Sequence, residues 1–296
     1  MLRSLYSGVS GMKSFQTKMD VIANNIANVN TTAFKSSRAR FQDMLSQTLS
    51  SAQEPGDNIG GVNPRQVGLG VRVGSIDAMM ENGALQPTNR ELDFAIEGNG
   101  FFAVSSMFNA DDEPLEALYT RDGGFFRDSS GNLVNGNGER ILGYPANNDG
   151  DEVDLPTNDP IQLSDLIALT IPDKNSFEED LQSYTIDGTG TINAVYGDGS
   201  QEILGRIAIT SFSTPEGLEK RGNNNYEASN NSGDPVYGSA GDAGFGVVRQ
   251  GFLEMSNVDL ANEFTEMVIA SRAYSANSRS ITTSDEMLQE LINLKR

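Results

Sequence analysis

Cysteine, histidine and tryptophan are all missing from the 296 residues. Without thiols the chain has no disulfide, no Cys-ligated metal and no cysteine nucleophile, so stability outside a cell has to come from packing alone. Without histidine it loses the commonest general base and the commonest zinc ligand. Without tryptophan a carbohydrate-stacking surface is a weak reading. Positive charge is scarce: 21 Lys and Arg stand against 41 Asp and Glu, a formal net charge of −20. Phosphate binding needs clustered Lys and Arg, so nucleic acid and anionic membrane surfaces are poor partners, and the acidity is read as a solubilising surface. No run of about 18 apolar residues is present, so no membrane insertion is expected. Ser4, Ser7, Gly8, Ser10 and Gly11 interrupt the apolar N-terminus and Lys13 follows, unlike a cleaved secretory signal. If the protein is extracellular, the expectation is export without N-terminal cleavage.

What is present divides by period. Leu2, Leu5, Val9, Met12, Met19, Ile22, Ile26 and Val29 recur at helical spacing, with Leu5, Met12, Met19 and Ile26 seven apart and Phe15, Ile22 and Val29 beside them. Such a stripe predicts a helix over residues 2–29 that buries a broad apolar face. Gly8 and Gly11 weaken it by about 1 kcal/mol each relative to Ala. Asn28 and Asn30 read as its stop, whereas Asn25 sits early enough to hydrogen-bond between packed helices. At the other end Leu260, Met267, Tyr274, Ile281 and Leu288 form a second heptad stripe. Its companions are mixed, apolar at Phe264 and Ile292 but polar at Ser271, Ser278 and Asp285. Ser256 with Asp259 is expected to cap this helix.

Between the helices the period is two. Val67–Ile76, Leu92–Ile96, Phe101–Val104, Tyr184–Ile186, Ile192–Tyr196 and Ile203–Phe212 read as short strands, with Gly-rich turns such as Gly98-Asn99-Gly100. The fold class expected is α+β: terminal helices packed as a coiled-coil-like pair, with an antiparallel β sandwich or barrel between them. Four regions follow. Residues 1–30 plus 256–296 form a helical domain; 31–67 form a Gly- and Pro-rich connector or hinge; 68–145 plus 182–255 form the β domain; 146–181 form a small acidic insertion lying on it.

Sites for chemistry are weak. Asp149–Asp154 lacks the glycine and the spaced Glu of a calcium loop and is read as a solvated acidic loop. Gly68-Leu69-Gly70 is no phosphate loop, and the Asp111/Asp112 pair is one of many carboxylate pairs in an acidic chain. No catalytic residue, metal ligand or cofactor is assigned. The candidate surface is helical: Leu5, Val9, Met12, Met19, Ile22, Asn25, Ile26, Leu260, Phe264, Met267, Tyr274, Ile281, Leu288 and Ile292, placed between subunits.

These residues also carry a resemblance. VIANNIANVNTTAFK at 21–35 and SNVDL at 256–260, with an amphipathic helix running on from it, resemble the terminal signatures of bacterial flagellar rod and hook proteins. LDFAIEGNGFF at 92–102 and YTRDGGF at 119–125 resemble strand motifs of that family, leaving only 146–181 without a counterpart. The family usually has glycine where Ala33 stands; an ordinary backbone is expected there. ILGYPA at 141–146, GGVNPRQVGLGV at 60–71 and the NLKR end are similar to the hook branch, in a minimal form with the outer domain reduced or absent. The short length fits the straight distal rod, which is the alternative; an oligomeric surface adhesin is a remote third, and a carbohydrate-active enzyme is disfavoured.

The resemblance implies a non-enzymatic subunit of a bendable tube that passes torque from rod to filament. Its implied partners are further copies of itself, the rod, the hook cap, the hook–filament junction proteins and the flagellar type III export apparatus. Phe41 and Leu45 are similar to an export-gate recognition element, against which stands ordinary packing of an amphipathic turn.

Overall fold

The computed structural model describes residues 2–55, 60–109, 114–146, 153, 161–174 and 179–294. Asp111, Asp112, Asp149–Glu152 and Asp154 therefore lie outside the described residues, as do Lys295 and Arg296. The chain forms two compact units. One comprises Met1–Val29, Ser36–Met79 and Val258–Arg296; the other comprises Asn30–Lys35 and Met80–Asn257.

The first unit holds both long helices, α1 (Leu2–Ala27) and α2 (Leu260–Leu294). At about 1.5 Å per residue they are rods of roughly 39 and 53 Å. Helix α1 ends at the asparagines: the Asn28 amide donates to the carbonyls of Asn24 and Asn25, and Asn28 Nδ2 donates to the Asn24 carbonyl at 2.9 Å. Helix α2 starts later than its sequence suggested. Asp259, not Ser256, supplies the cap, accepting from the Ala261 amide at 2.9 Å and the Asn262 amide at 3.4 Å.

The stretch read as a loose connector is paired backbone. Strand β1 (Ser37–Asp43) runs antiparallel to β4 (Val71–Ala78), with a register shift at Arg40/Phe41. Beyond them β2 (Ser46–Ser50) pairs with β3 (Arg65–Gly68). The break between β3 and β4 falls at Gly70, whose φ of +122° a side chain would resist. A Cβ at Gly70 would also lie 2.3 Å from Ser10 Oγ of α1. The ribbon rests on α1 through Phe15, edge-on to Phe41 at 5.4 Å, and through Ser14 Oγ, which donates to the Val71 carbonyl.

The second unit is β-rich. Its main sheet, antiparallel in every pairing, runs through 181–186, 191–196, 201–211, 140–145, 101–105, 118–120, 225–227 and 219–222. Alternation sends side chains to two apolar clusters. Phe102, Val104, Ile141, Ile207 and Ile209 enter one, with Phe94, Phe125 and Leu133; Phe101, Ala103, Leu142, Tyr144 and Ala208 enter the other, with Tyr119 and Phe212. The central strands are thus covered on both faces.

The described part of the expected insertion joins the β-rich unit. Residues 167–168 pair with 140–145, and Leu166, Leu169 and Ile171 are fully buried. Three apolar side chains at that spacing, in an acidic and Pro-containing stretch, are enough to make it part of the core wall.

Candidate assembly surfaces

Helices α1 and α2 meet antiparallel along a seam of small and polar side chains. Ser4 Oγ lies 3.5 Å from Ser284 Oγ, Lys18 pairs with Glu266, and Asn25 Nδ2 donates to Glu263 Oε1 at 3.0 Å. Between these contacts sit Gly8 and Gly11. A Cβ at Gly8 would come within 3.1 Å of Ile281, and one at Gly11 within 2.7 Å of the Asn277 amide. The glycines therefore let the helix backbones approach, at the expense of helix propensity. On α2 the covered positions are Glu263, Met267, Ala270, Asn277, Ile281, Ser284 and Leu288, with Tyr274 at the edge.

Asn25 is a buried polar group with several partners. Besides Glu263 it bonds β1 in both directions, donating to the Ser37 carbonyl at 2.8 Å and accepting from the Ser37 amide at 3.0 Å. Burial raises the Glu263 carboxyl above its usual value, and the bond from Asn25 opposes that rise.

The residues assigned from sequence separate into two groups. Ile22 and Asn25 are buried; Leu5, Met12, Met19, Ile26, Met267, Ile281 and Leu288 are half-buried. Val9, Leu260, Phe264, Tyr274 and Ile292 are exposed, Phe264 to 52% and Ile292 to 65%. The companion stripe expected through Phe264 and Ile292 is thus not the one that meets α1; Glu263, Ala270, Asn277 and Ser284 take that place. None of these four is a large apolar residue, nor are Gly8 and Gly11, so a pattern of large hydrophobic side chains passes over them. Phe41 is half-buried against Phe15, while Leu45, between β1 and β2, is 85% exposed; the segment is a strand end and not an amphipathic turn.

In the β-rich unit the segments that continue into the two helices are joined by a buried ionic cluster. Lys35 Nζ donates to Glu254 Oε1 at 2.6 Å and to the Glu81 carbonyl at 2.8 Å, and neither Lys35 nor Glu254 is exposed. Arg121 faces the other carboxylate oxygen at 3.3 Å and donates to the Gly98 carbonyl, and the Gly83 amide donates to Glu254 Oε1. Burial pushes the Lys35 amine down, with Glu254 opposing. The Ala33 amide donates to the Glu254 carbonyl at 2.8 Å, holding Ala33 at a φ of +56°. That overturns the expectation of an ordinary backbone there: the position has the left-handed conformation that glycine adopts without strain.

Among the described residues no group of three His, Cys, Asp or Glu is placed to hold a metal, and no helix is long and apolar enough to cross a membrane. A cavity of about 220 Å³ lies by Phe101, Arg121 and Phe212, with serines and Asn99 around it.

Three family models match the chain: "Flagella basal body rod protein" over residues 5–35, "Flagellar hook protein FlgE/F/G D1 domain" over 95–194, and "Flagellar basal body rod FlgEFG protein C-terminal" over 249–294. Flagellar basal-body rod protein FlgG of Bacillus subtilis is 46% identical over 297 aligned positions, covering all of both chains. Flagellar hook protein FlgE of Borreliella burgdorferi is 31% identical over an alignment of 448 positions, again covering both chains completely. A solved structure of Helicobacter pylori flagellar hook protein FlgE2 is 12% identical at a TM-score of 0.24, over 74% of this chain and 56% of that one. The chain belongs to the flagellar hook and basal-body rod protein family, whose members are structural components of the flagellum and not enzymes. The D1 model spans the 146–181 stretch that had no counterpart in the sequence motifs.

Proposed function

We propose that this chain is a structural subunit of the flagellar hook, polymerising into a bendable tube that carries torque from rod to filament. The observation that carries it is the unfinished first unit. Ile22 and Ala270 are the only buried apolar side chains among its described residues, while Phe264, Val268, Ile269, Met287, Leu291 and Leu294 stand exposed. Apolar surface left open at both ends of a chain is a site for further copies.

In this reading α1 and α2 form a coiled-coil-like pair lining the inner tube. Ile22, Asn25, Met267, Ile281 and Leu288 join the two helices within a chain. Leu5, Val9, Met12, Met19, Ile26, Leu260, Phe264, Tyr274 and Ile292 face neighbouring copies. The β-rich unit is a sandwich or barrel closed on both faces. Export as an unfolded chain, with Phe41 and Leu45 read at the gate, and contacts with rod, hook cap and junction proteins complete the proposal. The hook branch is supported by the ILGYPA stretch, whose Leu142 and Tyr144 are core residues, and by full-length similarity to hook proteins.

The distal rod is the second reading, favoured by 46% identity to a rod protein aligned from end to end. Electron microscopy of protein assembled by added salt separates the two. A curved tube is expected; a straight tube would transfer the assignment to the rod, and discrete particles would contradict both.

A further inference from the structure

The face of α2 turned away from α1 carries two separate apolar groups. Thr265, Val268, Ile269 and Arg272 stand at i, i+3, i+4 and i+7, the four corners of a hole that accepts a side chain from another helix. With Phe264 they line a shallow groove of about 400 Å³, and all five are exposed. Four turns further on, Met287, Leu291 and Leu294 project together, also exposed, with Glu286 and Glu290 beside them. Among the described residues Arg272, Glu286 and Glu290 make no ion pair.

We infer that this groove receives the Met287–Leu294 group of a second copy of the chain, with the two α2 helices parallel and offset by about 18 residues, roughly 27 Å along the axis. The inference rests on the tubular polymer proposed above. In such a polymer every copy points the same way, so the contact joins two different patches of one surface and repeats without closing. Helix α2 supplies such a pair of patches. At this offset Met287 enters the hole opposite Ile269. Leu291 lies along the aliphatic stem of Arg272 and against Ala276, and Glu290 reaches the Arg272 guanidinium. Basic rim meets acidic flank in this register. An antiparallel pairing would instead bring Arg279 of each copy towards the other and close as a dimer, ending growth.

The absence of native cysteine makes the contact directly testable. A chain carrying Ile269→Cys and Met287→Cys is assembled, mildly oxidised and denatured. A ladder of covalent multimers is expected, absent from each single variant and from the unassembled monomer. In parallel, Arg272→Glu is expected to slow assembly roughly tenfold, and Glu290→Arg in the same chain to restore it. Tubes that give no ladder, a product that stops at dimers, or an Arg272→Glu chain assembling at the normal rate would each overturn the inference and leave the tubular subunit standing. Failure of the unaltered chain to form any tube would overturn both.

Discussion

Phe94, Phe102 and Phe125 of the β-rich unit are wholly enclosed, with Phe125 meeting Phe102 edge to face and Phe94 at a tilt, whereas Phe264, Leu291 and Leu294 of the helical unit are exposed, Leu294 to 83%. The polar groups differ in the same way. The β-rich unit buries a lysine, an arginine and a glutamate together, which is tolerable only where opposite charges and hydrogen bonds replace the water they lose. The helical unit relies on Ser4, Gly8, Gly11, Asn25, Asn277 and Ser284, which fix how two helices meet but bury little apolar area. An isolated two-stranded ribbon such as β2–β3, exposed at every residue, is marginal in water. One region therefore buries a core of its own, and the other leaves apolar surface open, which the proposed polymer would cover.

The largest effect is expected at Glu254. Glu254→Gln leaves Lys35 and Arg121 as uncompensated buried cations and should destabilise the β-rich unit by about 3–5 kcal/mol, seen as a lower denaturant midpoint for that unit. An unchanged midpoint would mean that the cluster is open to water. Gly11→Val should act on the other region only. It crowds Asn277 and should weaken the helix pair by about 1–3 kcal/mol, read from far-ultraviolet circular dichroism at 222 nm, while the near-ultraviolet signal of the buried tyrosines stays put. If valine there instead raises helicity, the close approach has been misjudged. The smallest effect is a gain: Ala33→Gly releases a left-handed alanine and should stabilise the β-rich unit by about 1 kcal/mol, net of glycine's larger entropy loss on folding.

Both helices and most strands were legible because their apolar residues recur at periods of 3.5 and 2. The helical contact itself was half legible. Of the heptad stripe, Met267, Ile281 and Leu288 are covered, but the residues beside them at the contact are Glu263, Ala270, Asn277 and Ser284, and small or polar side chains leave little hydrophobic signal. Residues 31–67 read as a hinge from their Gly, Pro and Asn content, yet β1 finds its partner in β4, and pairing depends on a register that composition does not contain. The acidic stretch around 166–171 concealed three core residues under its average polarity. Lys35 and Glu254 are 219 positions apart, and Ala33 differs from its neighbours only in one backbone angle. The ion pair has no local sequence signature, whereas the family's usual glycine at position 33 was the one available signal for the left-handed backbone there.

Hydrogen exchange measured on the same protein before and after polymerisation bears most directly on this division of labour. In the monomer, amides of the β-rich strands 101–105, 140–145 and 201–211 should be strongly protected, and those of α2, β2 and β3 should exchange quickly. In the polymer the second set should become protected and the first should not change. A monomer whose terminal helices are already as protected as its β core, with no further slowing on assembly, would contradict the claim that sister copies finish the helical unit.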